Sequence, residues 1–289
     1  MLQINSNQTR QKRIVAIHDI SCVGKCSLTA ALPIISAAGI ETAVIPTAVL
    51  STHTGGFKGY TFRDLTDDIL PIVEHWQSEG LDFDAVYTGY LGSFRQIDIV
   101  EQVIGIYKKQ GALIMVDPAM ADNGVLYSSF DASFPKGMMK LCTQADVIVP
   151  NITEACMMLE REYQQPPYKK EYIEELLKQL GERCGRYVVL TGVCFDDLQL
   201  GAATYDKVTG SIHYCMTKRI EGMYHGTGDV FASALLAAML SGKAINCAAQ
   251  IAVEFTAESI RQTLKIKQSR YYGVNFEAAL PFLIENIQL

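Results

Sequence analysis

Four consecutive residues, Gly226-Thr227-Gly228-Asp229, stand directly before the apolar run from Val230 to Leu240. Glycines ahead of a helix let the chain turn tightly and bare backbone N–H groups beside the positive end of the helix dipole. Such a nest holds a phosphate, or the charge that develops on a phosphoryl group in transfer. An aspartate in the first turn stays ionised there, and its carboxylate is a candidate base for an attacking hydroxyl. A simpler reading is that Thr227 or Asp229 merely caps the helix. Val23-Gly24-Lys25-Cys26-Ser27 is reminiscent of a P-loop but lacks the first glycine at the right spacing. It reads as a turn into a helix, with a place in the lining of a pocket.

These residues need a frame. Residues 13–18, 42–45, 85–88, 113–116, 147–149 and 187–190 are short, largely apolar runs. Such runs suit parallel strands covered on both faces. Residues 27–38, 62–79, 97–109 and 171–184 have helical character between them. In the second of these, Phe62, Leu65, Ile69, Ile72, Val73 and Trp76 share one face, and Pro71 is expected to kink or divide it. Residues 200–206 and 211–217 form a hairpin across Val208-Thr209-Gly210, and the rest is helical. The alternation predicts an α/β fold: one domain over 13–289, behind a polar tail of residues 1–12, with a doubly wound, mostly parallel central sheet and helices on both faces. Ligands of open sheets bind beyond the carboxyl ends of the strands. There the sequence places His18-Asp19, Gly89-Tyr90, Asp117-Pro118, Asn151 with Glu154, and Thr191-Gly192.

The 289 residues are 49% hydrophobic and 19% charged, with a net charge of −6 and pI near 5.4. A nucleic-acid partner needs a basic face, and no dense Lys/Arg run is present. No apolar run is long enough to span a bilayer. The eight scattered cysteines have neither CxxC spacing nor histidines placed for zinc, and the start of the chain has no secretory pattern. Reduced thiols in the cytoplasm are expected. Residues 122–130 read as a flap that excludes water, Trp76 as core, His75 as surface, and His18, His213 and His225 as minor.

Five segments in order identify a resemblance: Ser51-Thr-His-Thr-Gly55, Thr88-Gly-Tyr-Leu-Gly-Ser93, Asp117-Pro-Ala-Met-Ala-Asp122, Val149-Pro-Asn-Ile-Thr-Glu154 and Gly226-Thr-Gly-Asp229. From about residue 14 to about residue 265 the chain resembles the pyridoxal/pyridoxamine kinase family of the ribokinase-like superfamily. The resemblance implies ATP-dependent phosphorylation of the 5'-hydroxymethyl group of a vitamin B6 vitamer, with Mg²⁺, a monovalent cation such as K⁺, and a homodimer. It implies that Asp229, with Gly226, Thr227 and Gly228, is catalytic. Asp19, Ser51, His53, Thr54 and Tyr90 border the ring, and Asp19 falls where related kinases usually have Ser. Asn151, Glu154, Thr191 and Gly192 border the nucleotide, and Asp117 and Glu154 the metal. Hard cations keep several waters, so two carboxylates acting through them suffice. Asn151-Ile-Thr-Glu154 also reads as helix-start chemistry, and Asp117 as a turn cap. The rival readings are a hydroxymethylpyrimidine/phosphomethylpyrimidine kinase, which commonly has Cys where this chain has Asp229, and a non-catalytic binder of pyridoxal phosphate or nucleotide.

Overall fold

The computed structural model describes residues 10–266 and 272–288; most of the expected tail, residues 1–9, lies outside them. Along the chain, β1 (Arg13–Ser21), α1 (Leu28–Ala37), β2 (Glu41–Leu50) and β3 (Phe62–Asp64) come first. Next are α2 (Ile69–Ser78), β4 (Ala85–Thr88), α3 (Phe94–Lys109), β5 (Leu113–Val116), β6 (Ala121–Asp122) and β7 (Val125–Leu126). Then follow α4 (Phe134–Cys142), β8 (Val147–Ile148), α5 (Ile152–Met158), α6 (Lys170–Arg183) and β9 (Tyr187–Val193). The chain closes with β10 (Gln199–Asp206), β11 (Ser211–Lys218), α7 (Thr227–Leu240), α8 (Ile245–Lys265) and α9 (Leu280–Gln288).

The main sheet has the order β11-β10-β9-β8-β5-β4-β1-β2-β3. Its centre, from β2 through β9, is parallel, and the two edges are antiparallel. Strand residues alternate between two cores, as the pleat requires. Val15, Ile17, Val86 and Val116 face α2 to α6, whereas Ile14, Tyr87, Met115 and Val189 face α1, α7, α8 and α9. The fold is the expected mostly parallel α/β sheet with helices on both faces.

Local boundaries differ from the sequence reading at several points, the strand expected over 42–45 among them, which runs over Glu41–Leu50. The expected helix over 62–79 is divided. Residues Phe62–Asp64 pair antiparallel with β2, leaving Phe62 exposed, and the Asp64 carboxylate accepts the Thr66 N–H at 2.7 Å to turn the chain. Pro71 therefore sits in the first turn of α2, where its missing N–H has no helix partner to lose, and no kink is needed. The strand candidates at 13–18 and 187–190 run on, because ladder pairing continues through polar residues: Ser21 pairs with Leu50 and Thr191 with Ala202. Asp19, Thr191 and Gly192 thus lie within strand ends rather than after them. The third helix starts at Phe94, since Ser93 accepts the Gln96 N–H at 3.2 Å and caps it. Trp76 packs partly buried against Phe83 at 5.3 Å, and all eight cysteines are free thiols.

Candidate active site

Asp229 sits in the first turn of α7. The turn is entered by Gly226 at φ 77°, and a Cβ there would lie 2.1 Å from the Lys25 carbonyl oxygen. Only glycine allows both that conformation and the close approach of the loop between β1 and α1. Gly226 at the cap position offers no side chain; the Thr227 hydroxyl donates to the Tyr224 carbonyl at 3.3 Å, and the Asp229 carboxylate accepts its own N–H in the first turn as well as the Ser27 N–H. The capping reading fails for Thr227 and holds in part for Asp229, whose carboxylate answers one N–H of the first turn. Burial raises the Asp229 carboxyl to about 7; the Ser27 N–H works against that rise, and the nearby Asp19 carboxylate adds to it. Ser27 holds φ 52° and ψ −129°, a strained backbone for a residue with a side chain. Its hydroxyl favours the ionised form of Asp19 as its N–H favours that of Asp229.

A cavity of about 440 Å³ opens over the carboxyl ends of β5, β8 and β9 and the start of α7. Its lining brings together Asp117, Asn151, Glu154, Thr191, Gly192 and the whole Gly226–Asp229 segment. Glu154 is buried and committed to local structure. One oxygen accepts Met120 N–H at 3.0 Å and Ala121 N–H at 3.5 Å, and the other accepts Asn151 N–H at 2.8 Å. Asn151 returns the bond by accepting Glu154 N–H at 2.9 Å, which completes a capping box. Burial lifts Glu154 to about 8, against the pull of those three donors.

Asp117 is different. Burial, then the carboxylates of Glu154 and Asp229, raise it well above the usual range, with no hydrogen bond to offset them. Three mutually repelling acids around one space are the donor chemistry that a hydrated divalent cation relieves. Among the described residues no group of three His, Cys, Asp or Glu forms a closed metal cage. Asp117 has the free carboxylate, and Glu154 lends charge from behind.

The far wall of the cavity is apolar: Leu200, Ile220, Phe231, Val253 and Ile260. Lys218 and Arg219 stand among them. The sequence reading missed these residues, because a wall drawn from a hairpin and two helices has no spacing of its own.

The expected ring-side residues line no part of this cavity. Asp19 is buried on β1, accepts the Ser21 hydroxyl at 3.3 Å and influences both Asp229 and Tyr90. His53 is buried in the loop after β2; its Nδ1 accepts Gly55 N–H at 3.1 Å, and its ring meets Phe57 edge-on at 5.0 Å and His225 at 5.6 Å. His225 lines the cavity, so the two sides touch there. Ser51 closes its loop by accepting Thr61 N–H at 2.9 Å, and Thr54 is exposed. The Tyr90 hydroxyl pairs with Ser129 at 3.2 Å and its ring lies 5.5 Å from Phe130. Tyr90 thereby ties this side to residues 122–130. That segment carries the β6–β7 pairing of Asp122 with Val125, and its Tyr127 lines the cavity.

A family model described as phosphomethylpyrimidine kinase matches residues 24–274. A provisionally assigned phosphomethylpyrimidine kinase from Bacteroides thetaiotaomicron, solved in an orthorhombic form with pyridoxal, is 35% identical with a TM-score of 0.90; the match covers 97% of this chain and 96% of that one. Pyridoxal kinase from Lactobacillus plantarum is 31% identical with a TM-score of 0.85, over 96% of this chain and 98% of that one. The thiamine biosynthesis multifunctional protein ThiED of Corynebacterium efficiens is 28% identical over 261 residues, 87% of this chain. The chain spans only 33% of that protein's length.

Proposed function

The chain belongs to the phosphomethylpyrimidine kinase family, a family of phosphotransferases, and we propose that it uses ATP to phosphorylate the 5'-hydroxymethyl group of a vitamin B6 vitamer. One observation carries the reading. Asp229 shares its cavity with Asp117, Asn151, Glu154 and Thr191 on one side, and lies within electrostatic reach of Asp19 on the other. A triphosphate on the first side and an acceptor on the second would meet at Asp229.

In the proposed reaction, Asp229 accepts the proton of the acceptor hydroxyl as its oxygen bonds to the γ-phosphorus. The bond from that phosphorus to the β–γ bridging oxygen breaks, and ADP departs. A carboxylate at about 7 is matched to proton acceptance near neutrality. N–H groups at the start of α7 face the phosphoryl oxygens, where negative charge grows. Asp117, with Glu154 behind it, would hold Mg²⁺, which when bound neutralises phosphate charge. Tyr90, Tyr127 and the rest of residues 122–130 cover the reacting groups and exclude water as a competing acceptor.

The pyridoxal-containing relative and the pyridoxal kinase support the B6 substrate over a pyrimidine. So does Asp229, at a place where thiamin-pathway kinases commonly have Cys. A second reading, hydroxymethylpyrimidine phosphorylation, is favoured by the description of the family model and by the multifunctional thiamine protein. A homodimeric, cytoplasmic enzyme of vitamin salvage belongs to the same proposal. ADP release with pyridoxal, pyridoxamine, pyridoxine and hydroxymethylpyrimidine separates the readings. Fastest turnover with the pyrimidine would replace the B6 assignment, and no turnover with any acceptor would leave only a binding protein.

A further inference from the structure

Beneath Asp229 the sheet holds a polar cluster that the reaction above does not use. His18 on β1, Tyr87 on β4 and Ser233 on α7 are all fully buried. Neither ring nitrogen of His18 has a hydrogen-bond partner among the described residues, and neither hydroxyl of Tyr87 or Ser233 has one. Buried polar atoms of this kind are almost always paired, either with protein or with ordered water.

Their arrangement is compact. The His18 ring stands edge-on to Tyr87 with centroids 4.4 Å apart. A Cβ on Gly89 would lie 2.6 Å from the His18 ring, so the glycine of the Thr88-Gly89-Tyr90 segment makes room for this imidazole. Ser233 is the single polar residue in the run from Val230 to Leu240. It follows Asp229 by four positions and so lies one turn below it on the same face.

The Ser233 hydroxyl is close enough to Tyr87 to favour its ionised form as a hydrogen-bond partner does, but the pair misses the geometry of a good hydrogen bond, so each hydroxyl keeps bonding capacity to spare. A water bonded to both hydroxyls and to the imidazole would use that spare capacity. A bridging water needs two to four polar partners. Here Tyr87 Oη, Ser233 Oγ and two imidazole nitrogens are on offer, and burial keeps that imidazole neutral, so it supplies one donor and one acceptor. The Tyr87 hydroxyl also feels the carboxylates of Asp117 and Asp229.

We propose that His18, Tyr87 and Ser233 enclose ordered water directly beneath Asp229, and that Tyr87 acts through this water as a positioning residue for the Asp229 carboxylate. The positioning role rests on the reading of Asp229 as the base. The competing account is a dry core that tolerates unpaired hydroxyls. Apolar replacement of such groups is neutral or stabilising in a dry core, whereas a hydrated link is lost with either hydroxyl.

Two measurements on the full-length enzyme decide it. A high-resolution crystal structure with ADP bound is expected to show water bonded to Tyr87 Oη and Ser233 Oγ, displaced in Tyr87→Phe. In steady-state kinetics Tyr87→Phe is expected to lower kcat about 10-fold with both KM values within about twofold, the signature of an interaction that matters only in the transition state. Ser233→Ala should show a smaller loss of the same kind, and Ser233→Thr, which keeps the hydroxyl, should recover most of it. Ser233→Ala carries the kinetic arm if Tyr87→Phe does not fold. A chamber without water, or full kcat with a raised Tm in these variants, overturns the inference. Wild-type turnover with each of the four acceptors tests the substrate reading separately. If that reading fails, the crystallographic arm still stands, and a dry chamber still overturns the inference.

Discussion

The side proposed for the nucleotide and the side proposed for the acceptor are built from different material. Asp117, Asn151, Glu154, Thr191 and Asp229 stand at strand ends and helix starts, where ladder bonds and a capping box fix the backbone. Asp19 apart, the acceptor side is made of loops: His53 and Thr54 after β2, Tyr90 after β4, and residues 122–130 leaning on Tyr90. The first arrangement suits charge that must be met by fixed dipoles. The second suits a ring that must enter and leave beneath a cover. Substitutions on the two sides should therefore act on different kinetic constants.

The largest effect belongs to the residue where the sides meet. Asp229→Asn is expected to cut turnover by about 10²–10⁴-fold, the usual worth of a positioned base, while nucleotide affinity measured by calorimetry barely moves. Turnover within a few-fold of wild type would remove Asp229 from that role. In the unmodified enzyme, kcat/KM should rise with pH and level off above about 7, as Asp229 loses its proton. A flat profile from pH 5 to 8 would contradict a base with that proton affinity.

On the nucleotide side, Asp117→Ala should raise the Mg²⁺ concentration for half-maximal rate by roughly 10-fold or more. It should leave the acceptor KM in place, and an unchanged metal titration would show that Asp117 has another use. On the acceptor side, Asp19→Asn is expected to raise the acceptor KM about 10-fold at saturating ATP. A rise in the KM for ATP instead would erase the division between the two sides.

The smallest effect is on stability. The Asp229 carboxyl moves from 3.8 to about 7 on folding. Between those values the unfolded chain has released a proton that the folded chain keeps, so stability falls as pH rises through that window. Asp229→Asn removes the loss. It should raise Tm by a few degrees at pH 8 and by little near pH 4. An equal shift at both pH values would mean that the gain is not electrostatic.

Much of this was legible beforehand because it is local. Residues 113–116 are apolar enough to be a central strand wherever they are read, and the hairpin over 200–217 announces its own turn. The division of 62–79 was not legible. Asp64, which ends the strand and turns the chain, looks like any helical acid until β2 lies beside it. Ser27 shows the same limit at the site, since its left-handed backbone and its two carboxylate neighbours, Asp19 on β1 and Asp229 on α7, are features of the folded chain. The apolar wall of Leu200, Phe231 and Ile260 escaped for a related reason: its members share a surface but no period.

The amino-acid sequence by itself determined the alternating strands and helices, the glycine-flanked aspartate at a helix start, and the acids waiting after apolar runs. Each of these follows from a period of two or 3.6, or from a few neighbouring residues. Only the tertiary structure decided which acids share a space. It laid Lys25 against Gly226, turned Glu154 toward Met120 and Ala121, and set Asp229 within reach of both Asp19 and Asp117. Proton affinity depends on desolvation and on charges carried by distant segments. Asp229 is therefore written in the sequence as a residue, and its proton affinity in the fold.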